Sequence, residues 1–88
     1  MSSVIQPPEI KASGDIVISL TNGAAFIPYS TIPDGFLFLQ PCYDGGTQNA
    51  SDVVVNVQKT TTSHVVYVRV NGQIPANNET KRFYYMVI

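Results

Sequence analysis

The spacing of proline and glycine most limits what this chain can fold into. Six prolines and six glycines interrupt the 88 residues at short intervals. No stretch of ten residues between them carries apolar side chains at the spacing of a helix. Valine and isoleucine number 19 and threonine 7, against 3 leucines, and these β-branched side chains suit a pleated strand and crowd a helix. We therefore expect an all-β chain without a helix.

Segments in which apolar and polar residues alternate predict five or six strands, since a period of two places alternate side chains on one face. The predicted strands are 15–20, 24–27, 36–39, 53–58, 64–70 and 81–88. Asn22-Gly23 predicts a tight turn into a short return strand that ends at Pro28. Short strands with turns about every 8–12 residues predict a small antiparallel β-sandwich or barrel.

For two of the predicted strands, the pattern also predicts which side chains share a face or are buried. In the hairpin of 53–58 and 64–70, Val53, Val55 and Val57 are expected on one face. The run Phe36-Leu37-Phe38-Leu39 has no polar alternation, which predicts burial on both sides, either between two layers or between a layer and a neighbouring subunit. We favour the neighbouring subunit.

The first twelve residues differ from the rest. Pro7-Pro8 follows Val4 and Ile5, so the backbone there is extended and cannot donate regular ladder bonds. We interpret residues 1–12 as an extended N-terminal arm and 13–88 as a single β-sandwich domain. The polar segment 44–51 is expected to form a surface loop between the two halves of that domain.

The charge content bears on the partners. Charged residues make up 12% of the chain and the formal net charge is −1, which leaves no basic patch for nucleic acid or for an anionic membrane. A single cysteine excludes an internal disulfide, and structural zinc needs about four Cys or His ligands. A core this small supplies only about 3–5 kcal/mol of stability, so we expect further burial against other subunits.

No residue pattern predicts chemistry. Ser63-His64 lacks a nucleophile elbow and an oxyanion loop, and Cys42 is expected to behave as a small buried hydrophobe. Asp34, Asp44 and Asp52 do not match a calcium-binding loop and suit turns instead. Two Asn-x-Ser/Thr sequences, at Asn49 and Asn78, are about as many as chance gives. We expect no catalytic residue, no metal site and no cofactor.

Contact with a partner is the more plausible role for the exposed residues. Tyrosine and arginine are common at interfaces, and Tyr67 and Arg69 lie on one face of a strand, opposite its valines. The apolar arm and the run at 36–39 are the other candidates. The predicted partner contacts are Ile5, Pro7, Pro8, Ile10, Phe36, Phe38, Tyr67 and Arg69.

The second half of the chain resembles a known class of proteins. A valine-alternating strand from Val53, the threonine-rich turn 59–63, a second alternating strand 64–70 and the aromatic strand 83–88 look like the last strands of small β-sandwich modules in phage virions. Those modules include tail-fibre tips that resemble H-type lectins. The low charge, the arm and the small size are also similar to phage head decoration, or cement, proteins, which commonly assemble as trimers.

The resemblance implies a non-enzymatic virion protein, either a capsid decoration (cement) protein or a tail or fibre component, that acts as a homo-oligomer, with a trimer favoured. Its partner would be the major capsid or tail protein of the same virion, and its location the virion, assembled in the host cytoplasm. A lectin-like module that binds a glycan is one alternative. A small protein-binding inhibitor or adaptor that uses a sheet edge is another.

Overall fold

The computed structural model describes residues 9–42 and 52–88, and these residues form an all-β domain without a helix. The strands are β1 (Ala12–Leu20), β2 (Ala24–Pro28), β3 (Leu37–Pro41), β4 (Asp52–Lys59), β5 (Ser63–Val70) and β6 (Glu79–Val87). The expected fold class is therefore confirmed. Residues 1–8 of the predicted arm and the predicted loop 44–51 lie outside the described residues.

The strands form two antiparallel sheets of three strands each. One sheet has the order β1-β6-β3 and the other the order β2-β5-β4, so four of the six strands are sheet edges. The core between the sheets is aliphatic around one phenylalanine, Phe83, which is fully buried. The other core residues are Ile18, Leu20, Ala25, Ile27, Ile32, Val66, Val68 and Val87.

The first strand begins earlier than the alternation predicts. β1 starts at Ala12 rather than Asp15, and the Lys11 N–H donates a 2.7 Å hydrogen bond to the Val87 carbonyl. Ser13 and Gly14, which do not look like strand residues, are held in β1 because they pair with Met86 and Tyr85 of the central strand β6. Pairing with a central strand outweighs local propensity here.

The Asn22-Gly23 turn forms as predicted, but its two strands do not pair with each other beyond one bridge. Asn22 and Gly23 both have positive φ, 53° and 73°, as a type I′ turn requires. Thr21 and Ala24 exchange the turn hydrogen bonds. β2 then pairs with β5 rather than with β1, so the prediction of a return strand beside the first was wrong. The two strands belong to different sheets, and both contribute side chains to the one core between them.

The predicted hairpin β4–β5 is present, but a β-bulge changes the faces of β4. The register shifts between Val54 and Asn56, which leaves Val55 as the extra residue. Val54 and Val57 are half-buried, whereas Val53 and Val55 are 51% and 52% exposed. The prediction that Val53, Val55 and Val57 share a face was therefore wrong, because a bulge breaks the period of two.

The apolar run at 36–39 is not buried between the two layers. β3 is the edge strand of its sheet and pairs only with β6 among the described strands. Leu37 and Leu39 pack against the core, while Phe36 and Phe38 point away from it. Of the two predicted arrangements, burial between layers was wrong, and burial against a neighbouring subunit stays a prediction.

Candidate functional site

Exposed aromatic and sulfur-containing side chains cluster on the outer surface of the β1-β6-β3 sheet. Phe38 lies opposite Met86 in the pairing of β3 with β6, and opposite residues of an antiparallel pair share a face. Phe36 precedes Phe38 by two residues and Tyr84 precedes Met86 by two, so all four side chains lie on that face. We call Phe36, Phe38, Tyr84 and Met86 the apolar face.

The side chains of the apolar face are far more exposed than large apolar side chains usually are. Phe36 is 74% exposed, Tyr84 54%, Phe38 52% and Met86 36%. A shallow groove of about 270 Å³ runs between β3 and β6 and is lined by three members of the apolar face. Contiguous exposed apolar surface of this kind marks a site of protein or ligand contact more often than a solvated surface.

A second groove continues the apolar face around the edge of the sheet. It occupies about 180 Å³ between β3 and β4, and Phe36 and Phe38 line it together with Val57, Lys59 and His64. Phe38 therefore belongs to both grooves, and Phe36 only to the second. Phe38 on β3 lies between the two grooves.

The free edge of β3 carries no charged side chain. Natural edge strands are commonly protected from pairing with other chains by charges, bulges or proline. β1 contains Asp15, β4 contains Lys59 and the bulge at Val55, and the five-residue β2 ends at Pro28. β3, with the sequence Leu-Phe-Leu-Gln-Pro, has only Pro41 at its end. β3 and β2 are alike in length, lack of charge and terminal proline, and both are less protected than β1 and β4.

A salt bridge stands beside the apolar face. Lys59 Nζ lies 2.6 Å from Asp34 Oδ1, and the Gly35 N–H donates to the same carboxylate oxygen at 2.8 Å. The hydrogen bond from Lys59 lowers the pKa of Asp34 below its ordinary value, and the same bond raises the pKa of Lys59. The pair fixes the turn 34–35, from which Phe36 enters β3.

His64 is a structural part of this end of the molecule. It is fully buried, and its Nε2 lies 2.9 Å from the Pro33 carbonyl oxygen. A carbonyl oxygen only accepts, so Nε2 donates this hydrogen bond. The ring also makes an edge contact with Tyr29, whose hydroxyl donates to the Thr60 carbonyl. These contacts hold the turns at Pro33 and Thr60.

The predicted partner contacts fall into separate places. Phe36 and Phe38 are on the apolar face, and Ile10, 56% exposed, precedes β1. Tyr67 and Arg69 lie on the outer face of the other sheet, and Arg69 Nη1 donates to the Val68 carbonyl at 2.9 Å. Ile5, Pro7 and Pro8 are outside the described residues. Among the described residues predicted from sequence, two pairs therefore lie together, Phe36 with Phe38 on the apolar face and Tyr67 with Arg69 on the outer face of the other sheet.

Sequence reasoning missed the remaining members of the apolar face. Tyr84 and Met86 alternate with the buried Phe83 and Val87, so the period of β6 already placed them on its outer side. Only the pairing of β6 with β3 brings them beside Phe38. That pairing joins segments more than forty residues apart in sequence, and the alternation within one strand does not indicate its neighbour.

Residues 9–42 and 52–88 contain no group of three or more His, Cys, Asp or Glu side chains placed to hold a metal ion. They also contain no helix that is long and apolar enough to cross a membrane.

Comparison of the chain with protein-family models, with curated proteins and with solved structures finds no match.

Proposed function

We propose that this protein is a non-enzymatic structural component that assembles from copies of itself through the apolar face and the free edge of β3. The single observation that carries the proposal is the pair Phe36 and Phe38, exposed on a strand edge that no charge protects. Burial of such side chains between subunits removes apolar surface from water, the main favourable term in most protein association.

The stability of the domain also favours association. The core contains one buried phenylalanine and otherwise aliphatic side chains, and a domain of this size has little stability to spare. Subunit contacts would add apolar burial that the isolated chain lacks. The occupant of the apolar face in this proposal is a second copy of the chain, and a trimer is the favoured assembly.

A ring of copies would use two different surfaces on each chain. In a trimer the contact is heterologous, so the edge of β3 meets another part of its neighbour. The virion setting, as a capsid decoration or tail component bound to the major capsid or tail protein, is the part of the proposal that rests on the resemblance of the second half of the chain to phage β-sandwich modules.

The proposal is tested by the mass of the particle in solution. Light scattering over a range of protein concentrations should show more than one chain per particle for the natural sequence. Phe38→Ser should shift the mass toward one chain at equal concentration, while circular dichroism shows that the strands remain. Phe26→Ser is the matched control, since Phe26 is 68% exposed on the outer face of the other sheet.

The outcomes separate the parts of the proposal. A single chain at every concentration would overturn self-assembly. An oligomer that Phe26→Ser dissociates and Phe38→Ser does not would move the interface to the other sheet. A particle of two chains would overturn the trimer but not the role of the apolar face.

A further inference from the structure

Two Asn-Gly sequences form turns with almost identical backbones. Asn22 and Gly23 have φ of 53° and 73°, and Asn71 and Gly72 have φ of 52° and 72°. Each turn is closed by two reciprocal hydrogen bonds between its flanking residues, at 2.8 and 3.0 Å in the first and 2.9 Å twice in the second. The two turns are therefore matched in sequence and conformation, and any difference in reactivity comes from their surroundings.

Asparagine followed by glycine is chemically labile. The backbone nitrogen of the glycine, once a base has taken its proton, attacks the side-chain carbonyl carbon of the asparagine. A five-membered succinimide ring closes and ammonia leaves with the amide nitrogen. Water then opens the ring at either carbonyl to give aspartate or isoaspartate, so the net change is one water consumed and one ammonia released. Glycine permits this because it has no side chain to hinder the attack.

Ring closure requires the peptide between the two residues to rotate out of the turn. The rate in a folded protein is therefore set by how easily the turn opens locally. A turn held by contacts outside its own four residues opens less often than one that is not.

The first turn is held from outside at three points. The Asn22 N–H donates to Asn77 Oδ1 at 2.8 Å, and the Gly23 carbonyl accepts from the Val68 N–H at 2.7 Å. Gly23 is buried, and a methyl group built on it would lie 2.6 Å from Arg69 Nη1 and 3.0 Å from the Val68 carbonyl oxygen. Rotation of the Asn22-Gly23 peptide has to break these contacts.

The second turn lacks such support from the described residues. Asn71 and Gly72 are both exposed, and no heavy atom described by the structure lies within 4 Å of a methyl group built on Gly72. The bonds of this turn join only Val70 and Gln73. We propose that Asn71 is a site of spontaneous deamidation in the folded protein and that the surroundings of Gly23 protect Asn22 from the same reaction.

The reaction would alter the connection between β5 and β6. Either product adds one negative charge to a chain whose formal net charge is −1. Isoaspartate also lengthens the backbone by one carbon between Val70 and Gln73, the two residues whose hydrogen bonds close the turn. The modified chain then has a different turn at the end of β5.

The proposal is tested by incubating the full-length folded protein in mildly alkaline buffer and measuring both sites by mass spectrometry of proteolytic fragments. Asn71 should lose its amide at least about tenfold faster than Asn22. This ratio corresponds to a difference of about 1.4 kcal/mol in the free energy of opening the two turns. In denaturant the two sites should react at similar rates, which is the internal control for intrinsic lability.

Variants that remove the outside contacts of the first turn provide a second test. Asn77→Ala removes the acceptor of the Asn22 N–H, and Arg69→Ala uncovers Gly23, so each should raise the rate at Asn22 and leave Asn71 unchanged. Equal rates at the two sites in the folded protein would overturn the proposal, as would no reaction at Asn71 under conditions where the denatured chain reacts. Variants that leave the rate at Asn22 unchanged would overturn the assigned cause of protection.

Discussion

Phe36 and Ile88 exchange two backbone hydrogen bonds, Phe36 N–H to the Ile88 carbonyl at 3.0 Å and Ile88 N–H to the Phe36 carbonyl at 3.1 Å. This bonded pair extends the β3–β6 ladder one residue beyond Leu37 and Val87 and fixes which residues of the ladder are hydrogen-bonded. Opposite residues of an antiparallel ladder alternate between bonded and non-bonded pairs. The backbone groups of Phe38 and Gln40 therefore face β6, and those of Leu37 and Leu39 face the free edge.

Amide hydrogen exchange should follow that alternation. In dilute protein we expect the amides of Phe38 and Gln40 to be protected and those of Leu37 and Leu39 to exchange quickly. If a second copy pairs with this edge, the amides of Leu37 and Leu39 should become protected as the concentration rises. Residue-resolved exchange by NMR at two concentrations measures this, and slow exchange at Leu37 and Leu39 in a demonstrated monomer would contradict the assignment of the free edge.

Phe83 should be the most costly core residue to truncate. It is the largest fully buried side chain of the core cluster among the described residues, and Phe→Ala at such sites costs about 3–5 kcal/mol. That cost is comparable with the whole stability of a small domain, so Phe83→Ala should be largely unfolded by circular dichroism and denaturant titration. The neighbouring Tyr84→Ala, which removes a half-exposed ring, should change the free energy of unfolding far less.

Phe83 and Tyr84 show how much of the structure can be predicted from the sequence. The alternation of β6 correctly separates Phe83 from Tyr84, because burial on one face of a strand is a local property. Which strand lies beside β6 is not local, and the apolar face depends on it. The fold class and most strands therefore follow from residue type and spacing, whereas the site depends on pairing between distant segments.

The sequence pattern also does not predict where a strand departs from the usual preferences. Val55 looks like its neighbours Val53 and Val57, and nothing in the residue types marks it as the extra residue of a bulge. Lys81 keeps the period of two but departs from residue preference: it lies opposite Ile18 and is only 2% exposed, although lysine is mostly found exposed. Both positions are determined by tertiary packing rather than by local preference.

Two glycines with equal φ should respond differently to substitution. Gly23→Ala and Gly72→Ala both place a side chain in the left-handed region, at a cost of about 1–2 kcal/mol. Gly23→Ala also drives its methyl group against Arg69 Nη1 and to 3.0 Å from the Val68 carbonyl oxygen, so it should destabilise the fold further. Denaturant midpoints of the two variants compare them directly, and equal destabilisation would show that the contacts around Gly23 yield without cost.

The Lys59–Asp34 salt bridge should make stability depend on pH in the acid range. The pKa of Asp34 is lower in the folded protein than its ordinary value, chiefly because Lys59 donates a hydrogen bond to it. The folded state therefore binds this proton less readily than the unfolded state, so the bridge stabilises fully above the ordinary carboxyl pKa. Its contribution is lost as the pH falls through the lowered value.

Asp34→Asn should remove this part of the pH dependence, and Lys59→Gln should remove the same part, because each leaves no charged pair. In the Lys59→Gln background, adding Asp34→Asn should have almost no further effect, which a double-mutant cycle of denaturant titrations at several pH values measures. Both side chains are about half exposed, 47% and 62%, so salt should weaken the effect. Additive effects of the two substitutions would mean that the ion pair does not stabilise the turn leading into Phe36.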